Sequence, residues 1–166
     1  MTNMTVNQFV EDLKQSFADV TFPTKKMFID TANDTFDADY ASDQLRDKSW
    51  QEIDIKLLIR NRDKLTYLTP EGFHFLLPAY LMTMVTSSKN IDIMTENVLL
   101  ALIPTDEVGK KMLSQRVRRI SKAQSASILH FLENFDLFFP PADWSFSEEA
   151  QKNIQHGIVY WGKKAR

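Results

Sequence analysis

The chain of 166 residues has no cysteine, which excludes a disulfide scaffold, a cysteine nucleophile and any thiolate metal site. Glycine and proline are scarce, 4 and 6 residues, and four of the prolines, Pro23, Pro104, Pro140 and Pro141, fall between periodic segments. That spacing suits helices with short connections and not strands joined by Gly-rich turns. No Gly-rich phosphate cradle occurs, which argues against a P-loop or dinucleotide-binding enzyme. Neither sign of charge dominates: 20 Lys and Arg stand against 22 Asp and Glu, a net charge of -2. The electrostatic footprint of a protein that coats nucleic acid is therefore missing. Long apolar runs are absent too. The most apolar stretch, Phe73 to Val85, is interrupted by His74 and Pro78 and is well short of the roughly 20 residues that span a bilayer. Met1 to Lys14 lacks the basic segment and apolar run of a signal peptide, so a cytoplasmic location is expected.

What the chain does have is core-forming material. Hydrophobic residues make up 43% of it and charged residues 25%, with 12 Phe, 4 Tyr and 3 Trp, which predicts a chain that folds by itself as one domain over 1–166. Thr5 and Gln8 form a capping-box signature, followed by Val6, Phe9, Val10, Leu13 and Phe17 on one helical stripe that stops before Pro23. From Thr24 to Ala41 the apolar signal thins while Asp30, Asp34 and Asp37 follow i, i+4, i+7 spacing, which predicts an acidic-faced helix. Asp54 caps a short helix containing Leu57 to Ile59, a short strand being the other reading. Thr69-Pro70-Glu71 is the clearest start signal: Thr caps, Pro occupies a position whose N–H has no helical partner, and Glu favours the positive end of the dipole. The helix it opens is expected to run from Pro70 to about Thr86, at the centre of the core, with a kink at Pro78. Further helices are expected over Asn97 to Ile103, from Ser121 with Gln124 up to Pro140, and from Ser147 with Ile154, Ile158 and Trp161 on the buried face. The sum is an all-α domain of about six helices around a Pro-kinked central one.

Charge is unevenly placed along this frame. Asp30 to Asp54 carries 8 acidic residues against Arg46 and Lys48, whereas Lys110 to Lys122 carries six basic residues and no acid. A calcium loop opening at Asp37 fails, because its positions fall on Ala41, Ser42 and Lys48 where a ligand, a glycine and a glutamate are required. The acidic run thus reads as a solvated face or a surface for a cationic partner, with Asp30, Asp34, Asp37, Asp39 and Asp43 as its candidate contacts. In the basic run Arg116, Arg118 and Arg119 are candidate anion contacts. The run lacks interleaved aromatics, and internal pairing with the acidic stretch is the plainer reading.

Signals for catalysis are weak. His74, His130 and His156 lie far apart and none sits in a nucleophile, zinc or phosphate motif. Glu71 and His74 match one Glu-x-x-His element of a di-iron bundle, but a second copy and two further Glu are required, so no metal and no cofactor are expected. Phe131, Phe135, Phe138 and Phe139, at helical spacing, read as core and not as a cofactor box. Trp144 and Phe146 read either as a small exposed hot spot or as pins for their loop.

The run Leu65-Thr66-Tyr67-Leu68-Thr69-Pro70-Glu71-Gly72-Phe73-His74-Phe75-Leu76-Leu77-Pro78-Ala79-Tyr80-Leu81 resembles the signature of a bacterial family of uncharacterised proteins, with Trp50 upstream and Leu113 to Phe135 extending it. The resemblance implies a small, mainly helical cytoplasmic protein. Cysteines found before the Trp in some members are absent, so no thiol or metal role carries over.

Two main functions are weighed on these features, with phosphate or nucleic-acid contact through Lys110 to Lys122 a third and lower reading. The first is a non-catalytic module that masks a protein partner of basic character, as immunity proteins and antitoxins do, with neither nucleic acid nor membrane as its partner. The second is a helical protein, ligand-binding or enzymatic, that uses Glu71, His74 and Tyr80 beside the proline kink.

Overall fold

In the computed structural model, residues 4–27, 43–62, 64–87, 92–103, 105–140 and 148–166 are described. The described chain is mostly helical: α1 Val6–Ser16, α2 Ile55–Arg60, α3 Pro70–Thr86, α4 Asp92–Leu102, α5 Glu107–Val117, α6 Lys122–Glu133, α7 Phe135–Phe138 and α8 Glu148–Ala165. Two 3-10 turns, Trp50–Glu52 and Leu65–Tyr67, interleave with them. Among the described residues there is no strand, so the fold is all-α as expected, and the region of Leu57 to Ile59 is helical. No helix among them is long and apolar enough to cross a membrane.

The local start signals operate as sequence chemistry dictates. Thr5 accepts from the Gln8 N–H while the Gln8 side chain accepts from Thr5 N, 2.8 Å, and Ser121 with Gln124 repeats that reciprocal box at α6. Asp54 accepts from Lys56 N at the head of α2. Three departures come from segments with weaker signals. Residues 24–27 form bends and not the first turn of a helix, while the rest of the expected acidic helix lies outside the described residues. The basic stretch contributes most of a helix of its own, α5, which Asp106 caps by accepting from Gly109 N at 2.7 Å. α4 begins at Asp92, five residues before the expected Asn97.

α3 occupies the centre. Eleven of its 17 residues are buried, so it is wrapped on nearly all sides and has no single apolar stripe. It runs as one helix through Pro78, where neighbouring elements supply the packing that an isolated Pro-containing helix lacks. α1 lies against α3 and α6, α5 and α4 against α3, and α6 packs most extensively against α8. The aromatic residues of the C-terminal half serve as core: Phe131 meets Phe135 edge-on at 5.7 Å, Phe135 lies 4.7 Å from Phe139, and Phe9 of α1 sits 5.9 Å from Phe131. Each fully buried ring of this kind contributes about 1.5–3 kcal/mol by leaving water. Among the described residues two buried indoles tie elements together, Trp50 donating to the Phe17 carbonyl at the end of α1 and Trp161 of α8 to the Leu102 carbonyl of α4, both at 3.0 Å.

Candidate functional site

The Thr69-Pro70-Glu71-Gly72 start of α3 does more than cap a helix. Thr69 Oγ1 accepts from Gly72 N at 3.1 Å and donates toward the carbonyls of Lys26, 2.8 Å, and Met27, 3.1 Å. Thr69 N also donates to the Met27 carbonyl at 2.8 Å. The chain entering at Met27 is therefore clamped across the head of the central helix. Gly72 permits this approach, since a Cβ there would stand 2.3 Å from the Met27 oxygen.

Glu71, His74 and Tyr80 are sent to three different partners. Glu71 pairs with Arg119 just beyond α5, in a contact where Glu71 is largely buried and Arg119 half exposed. His74 Nε2 meets Gln124 Oε1 of α6 at 3.0 Å, its ring 6.2 Å from that of Phe17. Tyr80 is buried, and its hydroxyl donates to the Asn61 carbonyl after α2 at 2.9 Å. These contacts bind α3 to its neighbours. The three side chains do not converge on one another.

Arg116 departs from the expected surface group of Arg116, Arg118 and Arg119. It is 4% exposed, with its guanidinium 4.7 Å over the Phe73 ring and donating to the carbonyls of Leu68, 3.1 Å, and Leu65, 3.4 Å. The α5 helix carries it inward on the same face as Leu113 and Val117. Burial pushes the guanidinium down to about 10, which leaves it protonated at neutral pH. Arg118 is exposed. Of the other cations in this stretch, Lys110 pairs with Glu107 at 2.7 Å and Lys122 donates to the Arg166 carbonyl at 2.6 Å. These partners lie outside the acidic run.

Asp43 is exposed and paired with Arg46 at 2.9 Å, whereas Asp30, Asp34, Asp37 and Asp39, and likewise Trp144 and Phe146, lie outside the described residues. At the other end of the acidic run, Ser49 donates to Glu52 from its N–H, 2.9 Å, and its hydroxyl, 2.8 Å. Those two bonds hold the Glu52 carboxyl below the usual carboxylate range.

Two features carry no signal in the linear pattern. Between α1 and α6, Ser127 Oγ donates to Asp12 Oδ2 at 2.9 Å, Ser16 Oγ lies 2.7 Å from Ser127 Oγ, and His130 Nδ1 approaches the same Asp12 oxygen at 3.2 Å. Ser127 faces the carboxylate and not the imidazole, so this is no nucleophile–base relay but a polar tie between two helices. The second feature is a cleft of about 570 Å³ between the end of α4, α5 and α8. Leu102, Ile103, Leu113 and Gly157 are its buried lining, and Thr105, Lys110, Ser114, Asn153, His156 and Tyr160 stand around them. Residues 50 positions apart in the chain build it, which is why spacing does not reveal it. Among the described residues, no three His, Asp or Glu side chains are grouped so as to hold a metal ion.

A family model described as a family of unknown function (DUF6714) matches residues 5–165, and the chain belongs to that family. No curated protein matches the chain, and no solved structure does.

Proposed function

We propose that this DUF6714 protein is a cytoplasmic, non-catalytic protein-binding module whose acidic segment masks a partner of basic character, in the manner of an immunity protein or antitoxin. One observation carries the reading. Residues 30–54 hold 8 acids against two cations, yet Lys110, Arg119 and Lys122 of the basic stretch are engaged with Glu107, Glu71 and the Arg166 carbonyl. Internal neutralisation of the one stretch by the other, the plainer account of the charge pattern, finds no support in those three contacts. A local excess of one sign raises the encounter rate with an oppositely charged surface and discriminates against acidic ones. The dispersal of Glu71, His74 and Tyr80 to separate structural partners favours binding over an active site beside Pro78.

Affinity capture of the full chain from its native lysate, weighed intact by native mass spectrometry, identifies the partner. The expected result is one stoichiometric basic protein whose affinity falls steeply with salt and by tenfold or more when Asp30, Asp34, Asp37, Asp39 and Asp43 are changed to Asn, an effect of about 1.4 kcal/mol or more. Binding insensitive to both salt and neutralisation refutes the reading.

A further inference from the structure

We propose that the cleft between the end of α4, α5 and α8 binds a small amphipathic carboxylate, its apolar body against Leu102, Ile103 and Leu113 and its carboxylate at Lys110 and His156. This site is independent of the acidic segment and of any protein partner. Its volume, about 570 Å³, falls within the roughly 300–1,000 Å³ of small-molecule sites, and its make-up has the same form: an apolar floor with a few polar groups converging at the mouth.

The class of ligand follows from the charges and donors. Lys110 offers three N–H donors, and His156 has a ring N–H to donate in either tautomer. Thr105, Ser114, Asn153 and Tyr160 add hydroxyl and amide groups, with the Ser114 hydroxyl donating back to the Lys111 carbonyl at 2.7 Å. Two sides of the mouth carry cations without acids, while Asp106 and Glu107 stand at the third, beside Thr105. No acid occurs from Lys110 to Lys122 or from Gln151 to Arg166, and Lys164 Nζ lies 5.8 Å from the centre of the Tyr160 ring. Of the two acids at the head of α5, Asp106 accepts from Gly109 N, and Glu107 pairs with Lys110 while both side chains of that pair are more than half exposed. Such a pair is weak, so Lys110 can turn to a ligand carboxylate that is positioned by an apolar body seated on the floor beneath it. A dianion gains little further from one lysine and one histidine. An uncharged apolar molecule leaves the donors unanswered.

Trp161 supplies a reporter. Its buried indole donates to the Leu102 carbonyl, so a ligand seated on Leu102 shifts that N–H, while the Trp50 indole, bonded to Phe17, serves as an internal control. The experiment titrates octanoate, and in parallel 1-octanol, into the ¹⁵N-labelled full chain and follows the indole and backbone cross-peaks. Expected are saturable shifts at the Trp161 indole and the lining residues with the Trp50 indole unmoved, binding about tenfold weaker on Lys110→Gln and for octanol, and loss of binding on Ser114→Trp, an exposed position where a large side chain fills the mouth. No saturable shift up to about 10 mM octanoate overturns the site. Shifts that reach the Trp50 indole or survive Ser114→Trp show unspecific adsorption and overturn it as well. Octanol binding as tightly as octanoate, or Lys110→Gln without effect, overturns the ligand class.

Discussion

Gly72→Ala tests the clamp at the head of the central helix, and its sign is what matters. At an ordinary helical position the change stabilises by about 1 kcal/mol, through helix propensity and a less flexible unfolded chain. At residue 72 the three atoms nearest the new Cβ are all backbone: the Met27 oxygen at 2.3 Å, its carbonyl carbon at 3.0 Å and its Cα at 3.1 Å. No side chain can swing aside. Either the contact is endured, at about 1–3 kcal/mol for overpacking, or the Met27 segment shifts and the bonds from Thr69 N and Oγ1 weaken, at about 0.5–1.5 kcal/mol each. An approach of 2.3 Å to backbone puts the cost in the upper part of that range, about 2–3 kcal/mol, so after the propensity gain the net loss is about 1–2 kcal/mol, a fall in Tm of about 2–8 °C for a chain of this length. Gly162→Ala is the matched control, since its Cβ meets just Leu129 Cδ1 at 4.0 Å, and it is expected to raise stability by about 0.5–1 kcal/mol. Urea unfolding followed by circular dichroism measures both. A Gly72→Ala protein at or above wild-type stability refutes the clamp.

Two further outcomes follow from buried and bonded charge. Arg116→Ala removes the stem packed on Phe73 and the donors to the Leu65 and Leu68 carbonyls, and is expected to lower unfolding free energy by about 2–4 kcal/mol; a variant within about 0.5 kcal/mol of wild type shows that the guanidinium ties nothing together. Glu52 has a depressed folded pKa through the bonds from Ser49, so its contribution is present above the ordinary value of 4.5 and is lost as pH falls through the folded one. Glu52→Gln is therefore expected to flatten the decline of stability below about pH 4.5, read from urea midpoints across the acid range, and an unchanged slope refutes that assignment.

The legible parts of this protein were those specified by neighbours in sequence. The boxes at Thr5 and Ser121, the caps at Asp54 and Thr69 and the tolerance of Pro70 all rest on bonds spanning two to four residues, and each forms as its residue types require. α5 was harder to see because its long basic residues look alike whether solvated or inward, and only the contact with Phe73 tells Arg116 from Arg118. Of the candidate sites, Glu71 and His74 share a helix face in the linear pattern. Their partners, Arg119 and Gln124, lie 48 and 50 residues away and are set by the packing of α5 on α3 and of α3 and α6 on α1.

By itself the sequence determined an all-α chain without thiol chemistry, the head of the central helix, and a charge distribution split between an acidic first third and a basic last third. Composition, capping and local periodicity act over one or two helical turns, so they are readable without a fold. Tertiary structure alone decided that Gly72 must lack a Cβ, that Arg116 turns inward, that Ser16, Ser127, Asp12 and His130 meet, and that α4, α5 and α8 enclose a cleft. Each depends on side chains brought together from separate helices, and that proximity is created by burial of a shared core, a force without direction along the chain.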